Sequence, residues 1–324
     1  SSDVPDKSLR LALLDQARPR PVMLAIAGDS AAGKTTLTRG LTEALGPDRC
    51  LSICADDYHR YDREERRDLP FTPLHPDCNH IDILEQHLQL LALGRPILKP
   101  NYDHATGTFT RPTYVEPTEF IVVEGLHPLA TKLSRACFDV TVFLDPPEAI
   151  RHQWKIERDC TKRGYERDQV TAELERREPE SAAYIRPQRR WADIVARFAP
   201  ISGRDDPPGT PLSAELLLRP TIQHPSLADV LPEDRTDTAD SAMHLKIIRD
   251  ADGTPTDCLH VHGHASDEEA RQLEKAIWAE LDVPGGPPDS LGRIGPDQRS
   301  EPLAITQLIL LFHLLAARAG RGTP

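Results

Sequence analysis

The sequence predicts an α/β fold in which a doubly wound, mainly parallel sheet is followed by a smaller α+β extension. Two observations support this prediction. Short apolar runs suited to buried strands alternate with segments of helical periodicity up to about residue 200. A glycine-rich segment, GDSAAGKT, lies between the first apolar run and the first helical segment. In sheets built from such parallel units, ligands bind at the carboxyl ends of the strands.

The elements of this core can be placed along the chain from its periodicity. Helices that begin after an apolar run and end at Gly94 and Gly164 have the glycine stop signals expected of helix C-termini. Strands are expected at residues 22–27, 51–55, 119–123, 139–144 and 193–198, and helices at residues 35–45, 81–93 and 148–163.

The composition changes after residue 200. Proline and aspartate punctuate residues 201–240, which we interpret as a linker. A C-terminal α+β region then covers residues 241–324, and residues 1–19 are taken as an N-terminal extension of the core at residues 20–200. In the C-terminal region, strands are expected at residues 241–248 and 258–262, and helices at residues 268–281 and 303–317.

The charge balance bears on the class of partner. The chain has 39 Lys and Arg against 51 Asp and Glu, a formal net charge of −12. Such a balance argues against a general nucleic-acid-binding protein, which would carry a basic surface. It does not exclude an anionic small molecule, because a pocket can be basic on an acidic protein.

The sequence predicts a protein of the cytoplasm that does not span a membrane. The longest apolar stretch, residues 303–317, contains Gln307 and His313 and is shorter than the ~20 residues of a membrane span. We expect it to be a buried helix and expect no membrane partner. The N-terminus lacks the apolar segment of a signal peptide, and the six cysteines lack CxxC or metal-finger spacing. A cytoplasmic protein with reduced cysteines is therefore expected.

The glycine-rich segment fits the phosphate-loop pattern G-x-x-x-x-G-K-[ST]. Backbone N–H groups of such a loop, and of the helix that follows, converge on phosphate oxygens. Lys34 is expected to bridge the β- and γ-phosphates, and the Thr35 hydroxyl to bind Mg²⁺. The predicted triphosphate site consists of Gly28, Asp29, Ser30, Ala31, Ala32, Gly33, Lys34, Thr35 and Thr36.

Carboxylates follow two other predicted strands. Asp56 and Asp57 come directly after the strand at 51–55, where a carboxylate can take a proton from an acceptor hydroxyl. Strand alternation lets at most one of them face the site, and the residues leave that choice open. A helix cap or a solvated turn is the alternative interpretation. Glu124, after the strand at 119–123, can bind Mg²⁺ directly or through water.

A basic cluster lies beside the acidic pair and contains His59, Arg60, Arg63, Arg66 and Arg67. Guanidinium groups suit phosphate, so the cluster favours a substrate that already carries one. A solvated charged face is the alternative interpretation. His59 can orient a hydroxyl.

Two further segments each allow a functional and a purely structural interpretation. The loop at 101–107 offers the hydrogen-bonding groups of a polyol pocket, or those of a surface turn. In the helix at 148–163, cations spaced 4, 3 and 4 residues apart share one face. They fit either an Arg-rich lid that closes over a nucleotide or an exposed helix with ion pairs. These cations are Arg151, Lys155, Arg158 and Lys162.

The motifs also occur in a familiar order. GDSAAGKT, ADDYHRYDR, PNYDHATGT, VVEGLHPL, WKIERDCTKRGY and AYIRPQRRWADIV follow one another along the chain. In this the sequence resembles the phosphoribulokinase and uridine kinase family of P-loop kinases over about residues 20–200. The resemblance implies a P-loop kinase core with an Arg-rich lid. DDYHR, YDHATG and EGLHP are more similar to the phosphoribulokinase branch of the family.

The resemblance implies an activity and site residues. The implied reaction is ATP-dependent phosphorylation of the 1-hydroxyl of D-ribulose 5-phosphate, the Calvin-cycle step before CO₂ fixation. Asp56 is the implied base and Glu124 the implied Mg²⁺-associated carboxylate. The other implied catalytic residues are Lys34, Lys155, Arg158 and Asp159. Implied substrate contacts are His59, Arg60, Arg63, Tyr102, His104, Arg163 and Arg186.

The sequence leaves alternative functions open and departs from the family pattern in its phosphate loop. A nucleoside kinase or another small-polyol kinase is the second hypothesis, and a non-catalytic nucleotide-binding regulator is the third. A homodimer is implied by the family. Plant members carry a regulatory cysteine in the phosphate loop where this chain has Ala31 and Ala32, and Cys54 matches the position of that cysteine's partner. Disulfide switching between these two places is therefore not expected.

Overall fold

The computed structural model describes residues 20–200, 212–231 and 242–321. The predicted N-terminal extension at 1–19 and the outer parts of the predicted linker lie outside these residues. The strands are β1 Val22–Gly28, β2 Cys50–Cys54, β3 Ile97–Asp103, β4 Thr108–Val115, β5 Phe120–Gly125, β6 Val140–Leu144, β7 Ile194–Ala199, β8 Ser213–Leu218, β9 Met243–Arg249, β10 Pro255–Val261, β11 Arg293–Gly295 and β12 Gln298–Arg299. The α-helices are α1 Lys34–Leu45, α2 Arg63–Arg66, α3 Ile81–Ala92, α4 Lys132–Ala136, α5 Glu148–Lys162, α6 Arg167–Glu180, α7 Asp267–Ala279 and α8 Glu301–Gly320.

One eight-stranded sheet organises the described chain, in the order β2–β5–β1–β6–β7–β8–β10–β9. The first five strands in that order are parallel, and the remaining three continue the sheet in antiparallel fashion. Every residue of β1 is buried, as expected for a strand covered by helices on both faces. The predicted α/β class with a mainly parallel sheet is confirmed.

The linker prediction is wrong for residues 213–218. These residues form β8, which pairs with β7 on one side and with β10 on the other. Ala214, Leu216 and Leu218 are buried in the main core. The strand is only six residues long and is flanked by prolines, so composition concealed it. Strands β8, β9 and β10 therefore extend the core sheet, and the short pair β11–β12 forms a separate two-stranded sheet.

A hairpin replaces the predicted loop at 101–107. Strands β3 and β4 pair antiparallel and are joined by a turn in which Gly107 has a φ of +71°. Almost every residue of β4 is exposed, so the strand has no alternation of apolar and polar residues from which it could be predicted. The hairpin carries Asn101, Tyr102 and Asp103 at the end of β3.

The C-terminal helix α8 is longer than predicted. It has 20 residues and is, among the residues described, the one helix long and apolar enough to cross a membrane by length and composition. Two-thirds of its most apolar window is buried within the protein, which confirms the prediction of a buried helix. Gln307 lies against the phosphate-loop helix α1, where its Nε2 donates to the Thr36 carbonyl at 3.4 Å.

His313 of this helix is hydrogen-bonded to a second histidine, His224. His224 Nε2 donates to the carbonyl of Arg219 at 2.6 Å, so its Nδ1 is an acceptor and receives the Nε2–H of His313 at 3.0 Å. Both rings are neutral in this arrangement. Burial, together with the neighbouring His224, lowers the pKa of His313 to about 3, and burial also lowers the pKa of His224.

We predict that this pair makes stability depend on pH. Because both pKa values are lower in the folded than in the unfolded protein, the pair's contribution is complete above about pH 6.5 and is lost as pH falls. Each group can contribute a slope of up to about 1.4 kcal/mol per pH unit. Urea unfolding between pH 4 and 7.5 should show a shallower dependence for His313→Gln. An unchanged slope in that variant would contradict the prediction.

Candidate active site

The phosphate loop joins β1 to α1 at the carboxyl edge of the parallel strands. Gly28 ends β1 where a Cβ would meet the Leu144 carbonyl oxygen at 3.1 Å, and Gly33 precedes α1 with a φ of +99°. Lys34 is buried, and its Nζ donates to the carbonyls of Gly28 at 2.9 Å and Asp29 at 2.6 Å. The Thr35 side chain is exposed at the start of the helix. The predicted loop therefore has the local structure of a phosphate cradle.

Asp29 connects this loop to the segments that follow β6. Its carboxylate accepts from the Ser30 N–H at 2.7 Å and from the Ser181 hydroxyl, and lies 3.4 Å from Arg151 Nη1. Burial alone would raise the pKa of Asp29, but Arg151, Ser181 and the Ser30 N–H outweigh it and hold the pKa below its usual value. Ser181 lies in a short π-helical turn after α6, and sequence reasoning missed it because no motif marks it.

The structure distinguishes Asp56 from Asp57. Both lie in the 3₁₀ turn Ala55–Tyr58 that follows β2. Asp57 is occupied by the hairpin, since Lys99 Nζ lies 2.7 Å from its Oδ2 and the Tyr102 N–H donates to its Oδ1 at 3.2 Å. Asp56 accepts one long bond, from the Leu126 N–H at 3.4 Å, and makes no ion pair within the described ranges. Asp56 is thus the carboxylate left available for chemistry.

Glu124 is the next-to-last residue of β5 and lies close enough to Asp56 and Lys34 to feel their charges. Burial raises its pKa, with Lys34 opposing and Asp56 adding to the rise. Its Oε2 is buried and has no hydrogen-bond partner among the residues described. A buried carboxylate oxygen of this kind, next to a phosphate cradle, fits a hard divalent cation such as Mg²⁺. Thr35 and Glu124 can thus supply oxygen ligands, and their assignment to Mg²⁺ stays a prediction.

Aromatic and basic side chains gather on the other side of Asp56. His59 is buried, and its ring meets that of Tyr102 edge-on with centroids 4.8 Å apart. Tyr102 contacts His104 in the same way at 4.8 Å, and its hydroxyl accepts from Arg66 Nη2 at 2.8 Å. The predicted residues His59, Tyr102 and His104 therefore lie in one cluster of side chains, which we call the pocket wall. Arg66 belongs to this wall, one helical turn after Arg63, and was not singled out as a contact from the sequence.

Asn79 fixes the tautomer of His59. The Asn79 amide donates to the carbonyls of Pro73 at 2.9 Å and His75 at 3.0 Å, so its Oδ1 is an acceptor facing His59 Nδ1 at 3.0 Å. His59 thus donates from Nδ1, and its Nε2 is an acceptor in the neutral ring. Burial lowers the pKa of His59 to about 4, against the opposing effect of Asp56. A neutral His59 can accept a hydrogen bond from a substrate hydroxyl.

Two predicted contacts have other positions. Arg63 donates to the carbonyls of His104 and Ala105 and so holds the hairpin turn. Arg60 is exposed and lies near His80, whose pKa it helps to lower. The structure therefore does not bring Arg60 together with His59 and Tyr102.

Helix α5 presents a buried face to the phosphate loop. Arg151, Lys155 and Asp159, four residues apart, are buried on this face, whereas Lys162 is exposed. Burial lowers the pKa of Lys155 to about 7, and neighbouring Arg177 and Arg158 add to the effect. Of the four cations predicted to share this face, Arg151 and Lys155 are buried, Arg158 is half-buried and Lys162, at the end of the helix, is exposed.

Asp159 gathers the arginines at the end of α5. Its Oδ1 lies 3.0 Å from Arg158 Nε and 3.5 Å from Arg163 Nη1. Arg163 also lies close enough to His104 to lower its pKa, after the larger effect of burial. Arg163, after the end of α5, therefore lies near the hairpin residue His104.

Arg186 lies on the other side of the phosphate loop. Its Nη2 donates to Glu178 Oε1 at 2.6 Å, and its Nη1 to Glu148 Oε1 at 3.3 Å. It lines a cavity of about 240 Å³ together with Asp29, Asp145 and Arg197. The structure thus places Arg186 at the loop side, away from His59 and Tyr102.

A phosphate loop on a parallel sheet, facing an uncommitted carboxylate and a basic lid, defines the class of P-loop kinases. A solved phosphoribulokinase from Rhodobacter spheroides has a similar fold, with a TM-score of 0.56 over 81% of this chain and 96% of that chain at 19% identity. Residues 23–202 match the phosphoribulokinase / uridine kinase family. The chain belongs to this family.

Curated relatives agree with this assignment. A phosphoribulokinase of Synechocystis is 40% identical over 181 residues, which are 56% of this chain and 54% of that protein. A chloroplastic phosphoribulokinase of Arabidopsis thaliana is 30% identical over 250 residues, 72% of this chain and 63% of that protein. The chain therefore spans between half and two-thirds of the length of these relatives.

Proposed function

We propose that this protein transfers the γ-phosphoryl group of ATP to the 1-hydroxyl of D-ribulose 5-phosphate. One observation carries the proposal. Asp56 lies in the turn that follows β2, where it accepts from the N–H of Leu126, two residues after Glu124, precedes His59 of the pocket wall by three residues, and makes no ion pair within the described ranges. A carboxylate between a triphosphate site and a polar, basic pocket is placed as a kinase base requires. The names of the curated relatives support the sugar phosphate as acceptor.

The residues support a direct transfer. Asp56 takes the proton of the acceptor hydroxyl as its oxygen attacks the γ-phosphorus of ATP, and the bond from that phosphorus to the β–γ bridging oxygen breaks. Lys34, Lys155 and Arg158 lie where they can neutralise the oxygens of the transferring group. Bound Mg²⁺ would be held by Thr35 and Glu124 and would offset phosphate charge. His59, through its Nε2, orients a sugar hydroxyl.

A substrate panel tests the proposal. The full chain should phosphorylate ribulose 5-phosphate with ATP and Mg²⁺, as measured by a coupled assay of ADP release. Uridine, cytidine and unphosphorylated ribulose serve as the comparison acceptors. Turnover with nucleosides but not with ribulose 5-phosphate would reject the proposal in favour of a nucleoside kinase. No turnover with any acceptor, despite ATP binding, would favour the regulator hypothesis.

The pocket wall leads to a further prediction. Arg66→Ala should raise the KM for ribulose 5-phosphate by at least about tenfold, because a guanidinium–phosphate contact contributes ~1.5–3 kcal/mol. The KM for ATP should change little. Arg60→Ala is the matched control, since Arg60 is exposed outside the wall. Equal effects of the two substitutions on the sugar phosphate KM would contradict the role of Arg66.

A further inference from the structure

The extension of the sheet brings a cysteine, a histidine and a glutamate together outside the candidate active site. In the antiparallel register, Glu215 of β8 lies opposite His260 of β10, which lies opposite His244 of β9. Cys258 precedes His260 by two residues and so projects from the same face of the sheet. The three chemical groups that most often bind zinc are thus adjacent on paired strands.

The distances among these groups match a metal site. Cys258 Sγ lies 3.4 Å from His260 Nε2, whereas Glu215 Oε1 lies 3.5 Å from the other ring nitrogen, Nδ1. An ion bound to Nε2 and Cys258 would therefore take Glu215 as a ligand after rotation of its half-exposed side chain. One ligand atom from each of the three residues lies within 4.8 Å of the other two. With Zn–S near 2.3 Å and Zn–N near 2.0 Å, a tetrahedral centre has an S···N edge of about 3.5 Å. The pair Cys258 and His260 already has this spacing.

We propose that Glu215, Cys258 and His260 bind a divalent transition-metal ion of the zinc class, with the fourth position open to solvent. Zinc accepts this mixture of thiolate, imidazole and carboxylate, whereas Mg²⁺ and Ca²⁺ prefer oxygen alone. The ion would tie β8 to β10 through side chains, in addition to the backbone hydrogen bonds.

The surroundings suit entry and orientation of the ion. Cys258 is 2% exposed, but the side chains of His260 and Glu215 are 19% and 48% exposed, so the site opens to solvent on the glutamate side. The ring of His244 stacks on that of His260 with centroids 4.5 Å apart and an interplanar angle of 10°, which limits rotation of the ligand ring. Arg197 of β7 lies opposite Glu215 on the other side. Its Nε donates to the Asp145 carbonyl at 3.2 Å, so this hydrogen bond does not occupy the Glu215 carboxylate.

Cobalt(II) is the probe for this site, because a thiolate ligand gives a charge-transfer band that carboxylate and imidazole do not. Titration of the full-length chain with Co²⁺ should develop this band with one equivalent, and Zn²⁺ should abolish it. Cys258→Ala should remove the band, and His260→Gln should weaken Co²⁺ binding at least about tenfold. Zn²⁺ should raise the melting temperature of the wild type but not that of Cys258→Ala.

Cys54→Ala is the matched control. Cys54 lies next to Asp56 and Glu124, where Co²⁺ could also bind a thiolate. If the band comes from Cys258, Cys54→Ala should keep it. Glu215→Gln, a substitution at a half-exposed residue, replaces Cys258→Ala if the latter does not fold, and should also weaken Co²⁺ binding at least about tenfold. Absence of the band in the wild type, its persistence in Cys258→Ala, its loss in Cys54→Ala, or unchanged affinity in Glu215→Gln would each overturn the proposal.

Discussion

Asp56→Asn should lower kcat by at least about 10²-fold and leave the KM for ATP within about threefold of the wild-type value. The amide cannot take a proton from the acceptor hydroxyl, and general-base catalysis typically contributes ~10²–10⁴-fold. Binding of ATP depends on the phosphate loop, which the substitution does not touch. Steady-state kinetics with ribulose 5-phosphate and ATP, each varied in turn, measure both parameters.

Asp57→Asn is the control for this prediction. Asp57 binds Lys99 and the Tyr102 N–H, so its substitution should loosen the hairpin and act mainly on the KM for the sugar phosphate. A kcat for Asp56→Asn equal to that of the wild type would remove Asp56 as the base. A larger loss of kcat in Asp57→Asn than in Asp56→Asn would exchange the roles of the two carboxylates.

Lys155→Met should lower kcat by about 10²-fold. Lys155 is buried on the face of α5 that also carries Arg151, which lies 3.4 Å from Asp29 of the phosphate loop, and a buried cation there stabilises the transferring phosphoryl group more than a solvated one would. Removing one such preorganised group typically costs ~10²–10³-fold in kcat. Circular dichroism and a melting curve of the variant separate this loss from misfolding. A kcat within about threefold of the wild-type value in the folded variant would exclude Lys155 from catalysis.

The lowered pKa of Lys155 adds a pH signature. With a pKa of about 7, Lys155 carries its charge below that pH and loses it above. Because kcat/KM reports ionisations of the free enzyme, kcat/KM for ATP should fall as pH rises beyond about 7. Lys155→Arg keeps its charge throughout, so this decline should disappear in that variant. An identical high-pH decline in Lys155→Arg would show that another group is responsible.

The periodicity of apolar residues predicts the parallel strands of the sheet but not β4 of the hairpin or β8 of the antiparallel part. β1 and β5 are continuous apolar runs because helices cover both of their faces, and such runs are visible in the sequence. β4 is exposed and β8 is short and surrounded by prolines, so neither has a pattern of its own. Each forms a strand because it pairs with other strands, and the sequence around β8 does not show its pairing with β10, about 40 residues away.

The residues of the candidate site also fall into two groups, those set by a local motif and those set by contacts distant in the sequence. The phosphate loop was predicted residue by residue, because its conformation depends on a contiguous motif. The choice between Asp56 and Asp57 required Lys99, which is 42 residues away and reaches Asp57 from the hairpin. Ser181, 152 residues from Asp29, was missed for the same reason. Arg66 could have been found from its spacing, since it lies one turn after Arg63 on a short helix.

The continuity of the sheet limits how this protein can be divided or recombined. One apolar cluster joins Leu24 of β1 and Leu37 of α1 to Leu216 of β8 and Leu308 of α8. A fragment ending at residue 200 would expose β7 as an unpaired edge and leave α1 uncovered. The C-terminal part is therefore not an exchangeable module. Joining residues 20–200 to a different C-terminal part would therefore require redesign of this shared apolar cluster.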